Sequence, residues 1–319
     1  MALLSVRNLR TYFHLHMGTV KAVDGISFDL EAGKTLGIVG ESGSGKTVTC
    51  LSLLKLIPMP PAEIVGGQAY LEGRDLLSLS EKELRGIRGR KMAMIFQEPM
   101  TALNPLYTVG EQIAETIRHH QAVTRAEAFE MAVEMLAAVS IPLPRLRAKS
   151  YPHQLSGGMK QRVMIALAMS CRPKILIADE PSTALDVTIQ AQILRLIHEL
   201  KSRTGTSVIL VTHNMGVITA TADEVMVLYL GKMVEKGEVY ALFNQPRHPY
   251  TQGLLDCILK PSGRRNLPKI LPGFIPHPIN RPSGCPFHPR CPKRKTLCAV
   301  EEPPVVRDGR QETVCWLYV

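Results

Sequence analysis

At 319 residues the chain is long enough for two domains, each with a core of its own. Hydrophobic residues make up 45% and charged residues 21%, as in an ordinary globular protein, and no stretch reaches the ~18 consecutive apolar residues of a membrane span. Lysine and arginine outnumber aspartate and glutamate 38 to 28, a surplus of ten that suits anionic partners or a solvated basic surface and does not choose among them.

The opening MALLSVRNLRTYF has no long apolar run behind a basic start. No secretory signal is therefore expected, and the chain is expected in the cytosol, where thiols stay reduced and disulfides are rare. TLGIV, Thr35 to Val39, reads as a buried strand, and VTCLSLLKLI, Val48 to Ile57, as a helix. Between them GESGSGKT fits the phosphate-loop pattern G-x-x-x-x-G-K-[ST] through Gly40, Glu41, Ser42, Gly43, Ser44, Gly45, Lys46 and Thr47. Glycines let successive amides point inward at phosphate oxygens, and the helix start adds partial positive charge. Lys46 is placed for the β- and γ-phosphates, Thr47 for Mg²⁺, and the Val48 amide for a further phosphate contact.

MAMIF, ending at Phe96, reads as a strand and leads into Gln97. The basic residues before it, Arg85, Arg88, Arg90 and Lys91, read as solvated. VGEQIAETIRHH and RAEAFEMAVEMLAAV then carry a helical period, marking a helical insertion over about 98–156. LSGGMKQR follows: Ser156, Gly157 and Gly158 open a helix with a cationic first turn, a second anion site at a helix start with Ser156 as a hydroxyl donor. KILIADEP is an apolar strand that ends in two acids. Asp179 is placed to hold Mg²⁺, and Glu180, turned the other way by strand alternation, to act as general base on water. SVILVTH reads as another buried strand, ending at His213.

With LSGGM in place beside the phosphate loop, Gln97, the Asp179–Glu180 pair, STALD (Ser182 to Asp186) and His213, the chain resembles the ATPase subunit of an ATP-binding-cassette transporter from about Leu3 to Phe243. The resemblance implies an α/β fold: a P-loop NTPase cassette over 1–243, with a mixed sheet, flanking helices and the inserted helical subdomain. Phe13, with Tyr12 as the fallback, would stack on adenine. Gln97 would sense the γ-phosphate and Mg²⁺, and His213 would hold the attacking water. Asp186 would join a subunit interface, where Ser156, Gly157 and Gly158 meet the nucleotide of a second cassette. The helical subdomain would receive a coupling helix from a membrane subunit. One phosphate loop and one signature in a single chain speak against soluble cassette ATPases that act on nucleic acid or ribosomes, so no nucleic acid is expected.

Beyond Phe243 the chain turns proline-rich and loses periodicity, and its last 35 residues hold Cys285, Cys291, Cys298 and Cys315. Disulfide, zinc and iron–sulfur readings are all open. No C-x2-4-C turn of the usual zinc kind is present, and spread thiolates suit a wider cubane. HPYTQGLL, LPGFIP and C-x-F-x-x-R-C make residues 244–319 similar to the C-terminal extension of oligopeptide/dipeptide importer ATPases. That resemblance implies a [4Fe-4S] cluster on the four cysteines, with zinc as the lesser alternative. It also implies import of di- or oligopeptides, with nickel, glutathione or sugar as other cargoes. The implied partners are a second ATPase subunit, two transmembrane permease subunits and, indirectly, an extracytoplasmic solute-binding protein, with the chain on the cytoplasmic face of the membrane. Cys50 and Cys171 read as packing residues, and Cys257 lies outside the four-cysteine spacing.

Overall fold

The computed structural model describes residues 2–98, 102–181, 186–257 and 271–319. The chain forms two compact units: Met1–Leu30, Thr35–Leu77 and Val211–Val319 make the first, Glu31–Lys34 and Ser78–Leu210 the second.

The first unit opens with two long strands, β1 (Ala2–Leu15) and β2 (Gly18–Glu31). Every residue of β3 (Thr35–Val39) is buried, as a near-continuous apolar run in a parallel sheet should be. It leads through the loop 40–45 into α1 (Lys46–Leu53). That helix starts two residues earlier than expected and ends four earlier. Lys55, with φ of 47°, turns the chain ahead of Pro58. The strands β4 (Ala62–Leu71) and β5 (Arg74–Asp75) complete a four-stranded sheet of order β2-β1-β4-β5.

The second unit holds α2 (Glu81–Arg85) and β6 (Met92–Ile95). α3 (Val109–His120) and α4 (Arg125–Ala138) follow the expected bounds to within a residue. Each begins at a capping box, Thr108 with Glu111 and Thr124 with Glu127, which satisfies amides that would otherwise be orphaned. α5 (Pro144–Arg147) and α6 (Gly157–Met169) precede β7 (Ile175–Asp179), α7 (Val187–Thr204) and β8 (Ser207–Val211). In this unit β7 lies between β8 and β6 and pairs with β6 in parallel.

The chain then returns to the first unit with α8 (Met215–Thr221), β9 (Glu224–Tyr229), β10 (Lys232–Glu238), α9 (Val239–Asn244) and α10 (Pro249–Asp256). β9 runs parallel to β3 and antiparallel to β10. The tail is more regular than its proline content suggests. β11 (Val305–Asp308) and β12 (Gln311–Val314) form a hairpin, and β12 pairs antiparallel with β10. Short 3-10 turns at Pro278–Asn280, His288–Arg290 and Thr296–Ala299 carry the chain between. Tyr229 meets Tyr250 and Phe287 edge-on, and the latter two rings are tilted against each other, with centroids 4.8 to 5.3 Å apart, which knits the tail to the sheet. Each ring is 1% exposed or less and contributes about 1.5–3 kcal/mol by burial. Among the described residues, no helix is long and apolar enough to cross a membrane.

Candidate active site

The loop between β3 and α1 has the backbone a phosphate cradle needs. Gly40 and Gly45 hold φ of 152° and 98°; a Cβ at either would sit 2.3 Å from a carbonyl oxygen, Leu228 O or Ala22 O. Only glycine fits there. Gly45 is also the N-cap of α1 and offers no side chain to its first-turn amides, leaving them to an anion. Lys46 is buried, and its Nζ donates to Gly40 O at 2.9 Å and Glu41 O at 3.1 Å. The ammonium is thus parked on carbonyls at the mouth of the loop. Ser44 Oγ is buried with no hydrogen-bond partner, an orphaned polar atom within the cradle, as a phosphate-binding loop should have. Thr47 and Val48 follow in the first turn, half-buried.

Glu41 is tied down from elsewhere in the same unit. Its amide donates to the Tyr250 hydroxyl at 2.9 Å, and its carboxylate receives two bonds from Arg290 at 2.7 and 3.1 Å. Sequence reasoning missed both partners, because they lie 209 and 249 residues away. The R of C-x-F-x-x-R-C was the available signal. Phe13 is half-buried on β1 opposite Ala62. Tyr12, facing the other way, donates to Asp24 Oδ1 at 2.9 Å, which commits its hydroxyl. Burial pushes the Asp24 carboxyl up. The Tyr12 bond and the Lys232, Arg281 and Lys21 charges outweigh burial and hold it below the usual carboxylate range.

In the second unit, Asp179 ends β7 at 2% exposure. Strand alternation was the wrong reason to expect Glu180 on another side: the strand has ended, and Glu180 takes φ of 44°. A left-handed conformation is costly for a non-glycine residue and recurs where geometry serves chemistry. Gln97, exposed two residues beyond β6, donates through Nε2 to Glu180 Oε2 at 3.3 Å, so this unit brings those two side chains together. Ser156 caps α6, its hydroxyl accepting from Met159 N at 3.4 Å, and the exposed Gly157 and half-buried Gly158 open the first turn. Asp186 is exposed and caps α7 by accepting from Ile189 N at 2.9 Å. Ser182 and the rest of STALD before Asp186 lie outside the described residues. His213, grouped with the first unit, does not end a strand: β8 stops at Val211, and the exposed His213 sits in the bend before α8. Asn214 next to it caps α8, accepting from the Gly216 and Val217 amides at 2.9 and 3.3 Å.

Mg²⁺ takes hard oxygen ligands; the first unit offers the half-buried Thr47 hydroxyl, and the second, taken by itself, the buried Asp179 carboxylate. The tail holds four thiols. Cys285, Cys298 and Cys315 are 7% exposed and Cys291 is half-buried; all are free, so no disulfide forms. Lys295 N donates to Cys298 Sγ at 3.4 Å, and backbone amides of Phe287, Lys293 and Leu317 donate to the other three. Burial pushes Cys285 up to about 11, with the neighbouring cysteines adding to it, and raises Cys291 and Cys315. Among the described residues, no group of three or more His, Cys, Asp or Glu side chains is in a position to hold a metal ion. This counts against the zinc reading, in which all ligands lie about 2.3 Å from one point. The same finding lends no support to a [4Fe-4S] cluster, which would place these thiolates on four separate irons. Cys50 is buried, Cys171 half-buried and Cys257 exposed.

A family model described as ABC transporter matches residues 23–183, and one described as oligopeptide/dipeptide transporter, C-terminal region, matches residues 234–298. A probable peptide ABC transporter ATP-binding protein of Sinorhizobium fredii is 49% identical over 98% of this chain and 94% of its own length. The dipeptide transport ATP-binding protein DppD of Bacillus subtilis is likewise 49% identical, over 98% of this chain and 94% of its own. The oligopeptide transport ATP-binding protein OppD of Escherichia coli is 48% identical over 95% and 89%. A solved dimeric structure of the ATP-binding cassette MJ0796, in a post-hydrolysis state with ADP and Pi, superposes with a TM-score of 0.66 at 26% identity, covering 74% of this chain and 98% of that one.

Proposed function

Because this chain belongs to the ABC transporter family of ATPases, we propose that it powers import of di- or oligopeptides through a membrane transporter. It would work from the cytoplasmic face, paired with a second ATPase subunit and two transmembrane permease subunits, with an extracytoplasmic solute-binding protein delivering the cargo. Relatives matched over nearly the whole chain carry peptide-transport names, and the tail matches the region specific to such transporters, which favours peptides over nickel, glutathione or sugar. The same names favour transport over work on nucleic acid or ribosomes. The cassette would span 1–243, with its helical subdomain at about 98–156 and the importer extension at 244–319.

The observation that carries the reading is the parked Lys46. A buried ammonium resting on Gly40 O and Glu41 O can exchange those carbonyls for phosphate oxygens without unburying its charge. The amides from Glu41 to Val48 would wrap the phosphates, and Phe13 would stack on adenine. Thr47 and Asp179, with Gln97, would hold Mg²⁺, which when bound neutralises charge between the β- and γ-phosphates. Glu180 would take a proton from the attacking water, with Gln97 and His213 fixing where that water sits. Ser156, Gly157, Gly158 and Asp186 would act on the nucleotide of the second subunit, so that closure of two cassettes completes two sites. ATP would then drive transport by favouring the closed pair, and hydrolysis would release it. Cys285, Cys291, Cys298 and Cys315 would hold a [4Fe-4S] cluster whose service is to fasten the tail. The test is Mg·ATP binding by the Lys46→Ala chain: loss of affinity supports the cradle, and retained affinity counts against it.

A further inference from the structure

We infer that the C-terminal tail is a working part of the nucleotide site, in which Arg290 neutralises and pins Glu41 and so sets how tightly the phosphate loop takes ATP. The inference rests on the nucleotide reading above and adds positioning residues to it.

Glu41 is the second residue of the loop and is held at each of its polar groups. Its carbonyl accepts from Lys46 Nζ at 3.1 Å and from Ser44 N at 3.2 Å. Its amide donates to Tyr250, a fully buried ring. Its carboxylate meets the Arg290 fork, Nη1 to Oε2 at 2.7 Å and Nη2 to Oε1 at 3.1 Å. Arg290 is itself immobilised. Its side chain is 4% exposed, its Nε donates to Pro272 O at 2.9 Å, and its guanidinium lies 5.8 Å from the Tyr229 ring centroid and 6.0 Å from that of Phe287. A fork so constrained can hold its carboxylate in one orientation only.

A carboxylate in a loop that must receive a polyanion is a physical liability. Left uncompensated, it repels the phosphates within a few ångströms, where screening is weak. Arg290 removes that repulsion and fixes the residue whose carbonyl parks Lys46. A second arginine of the tail acts alongside: Arg281 Nη1 donates at 2.8 Å to Asp24 Oδ2, and Asp24 also takes the hydroxyl of Tyr12, beside Phe13. The tail thus touches the phosphate loop directly and, through Asp24 on β2, reaches Tyr12, the neighbour of Phe13, at one remove. Arg290 immediately precedes Cys291, so refolding around the cysteines would be felt at Glu41.

The experiment is a double-mutant cycle on the full chain, read by equilibrium binding of Mg·ATP and by steady-state hydrolysis. Arg290→Ala should raise the ATP Kd and KM about ten-fold or more while kcat at saturation stays within about two-fold. In a Glu41→Gln background, where no charge needs cancelling, the same change should shift Kd by less than about two-fold. Arg290→Lys should recover part of the loss, since it restores the charge without the fork. If Arg290→Ala does not fold, Arg290→Lys in both backgrounds serves in its place. An unchanged Kd in Arg290→Ala, or an equal loss in both backgrounds, overturns the pin and leaves the tail as packing. Lys46→Ala run in parallel separates the two failures. If it abolishes binding while the cycle is additive, only the pin falls; if it retains affinity, the nucleotide reading falls with it.

Discussion

Glu180 shows what one residue can be asked to do. Its left-handed backbone costs on the order of 1 kcal/mol or more, and its carboxylate is met by Gln97. Glu180→Gln keeps size and polarity but cannot accept a proton. We predict ATP affinity within about three-fold of wild type and a turnover at least ~100-fold lower, measured by equilibrium binding and phosphate release. Unchanged turnover would remove Glu180 from the role of base. The phosphate-loop residues were legible from spacing because phosphate chemistry dictates glycine, lysine and hydroxyl at fixed intervals along a strand–loop–helix, and Glu180 was legible from its place beside Asp179 at the end of an apolar run. Arg290 and Tyr250 were not, because nothing local marks a contact closed across more than 200 residues.

At the scale of elements, the helices α3 and α4 announced themselves through their helical period and the strands β3, β6 and β7 through short apolar runs. The long β1 strand did not. Its pairing with β4 shifts register between Arg7 and Thr11, which breaks the alternation a reader looks for. The hairpin β11–β12 is built of VVRD and QETV, short and polar, and only its pairing with β10 makes it a sheet edge. Where α10 begins, His248 is fully buried, its Nδ1 accepting from Tyr250 N at 3.1 Å, and burial lowers its pKa from 6.5 to about 3. The folded ring therefore stays neutral where the unfolded one takes a proton. This contribution is full above pH ~6.5 and drains away as pH falls toward ~3, on the order of a few kcal/mol in all. Glu235 accepts from the His248 amide at 3.0 Å and is pushed up by burial, so it works in the opposite sense. Thermal melts across that range should lose stability in wild type and run flatter in His248→Asn, which keeps an acceptor for the cap; parallel slopes would refute the assignment. In the same region, anaerobically purified protein should be brown with about four irons per chain, and Cys298→Ser should lose both. A colourless chain carrying one zinc would reverse the cluster reading.

For the whole molecule, the account places each ATP between two protein subunits, because Ser156 and Gly157 stand exposed, and Gly158 half-buried, at a helix start with no charged cap of its own. A cassette of similar fold was solved as a dimer after hydrolysis. The surplus of ten positive charges suits a chain that handles polyanions, and it predicts looser ATP binding at high salt. The decisive measurement is the ATP turnover rate per chain as the protein, together with its second ATPase subunit, is diluted through the range where sedimentation shows pairs giving way to single chains. The account predicts that turnover per chain falls in step with the fraction paired. A fully dissociated chain that hydrolyses ATP at the undiminished rate would contradict it.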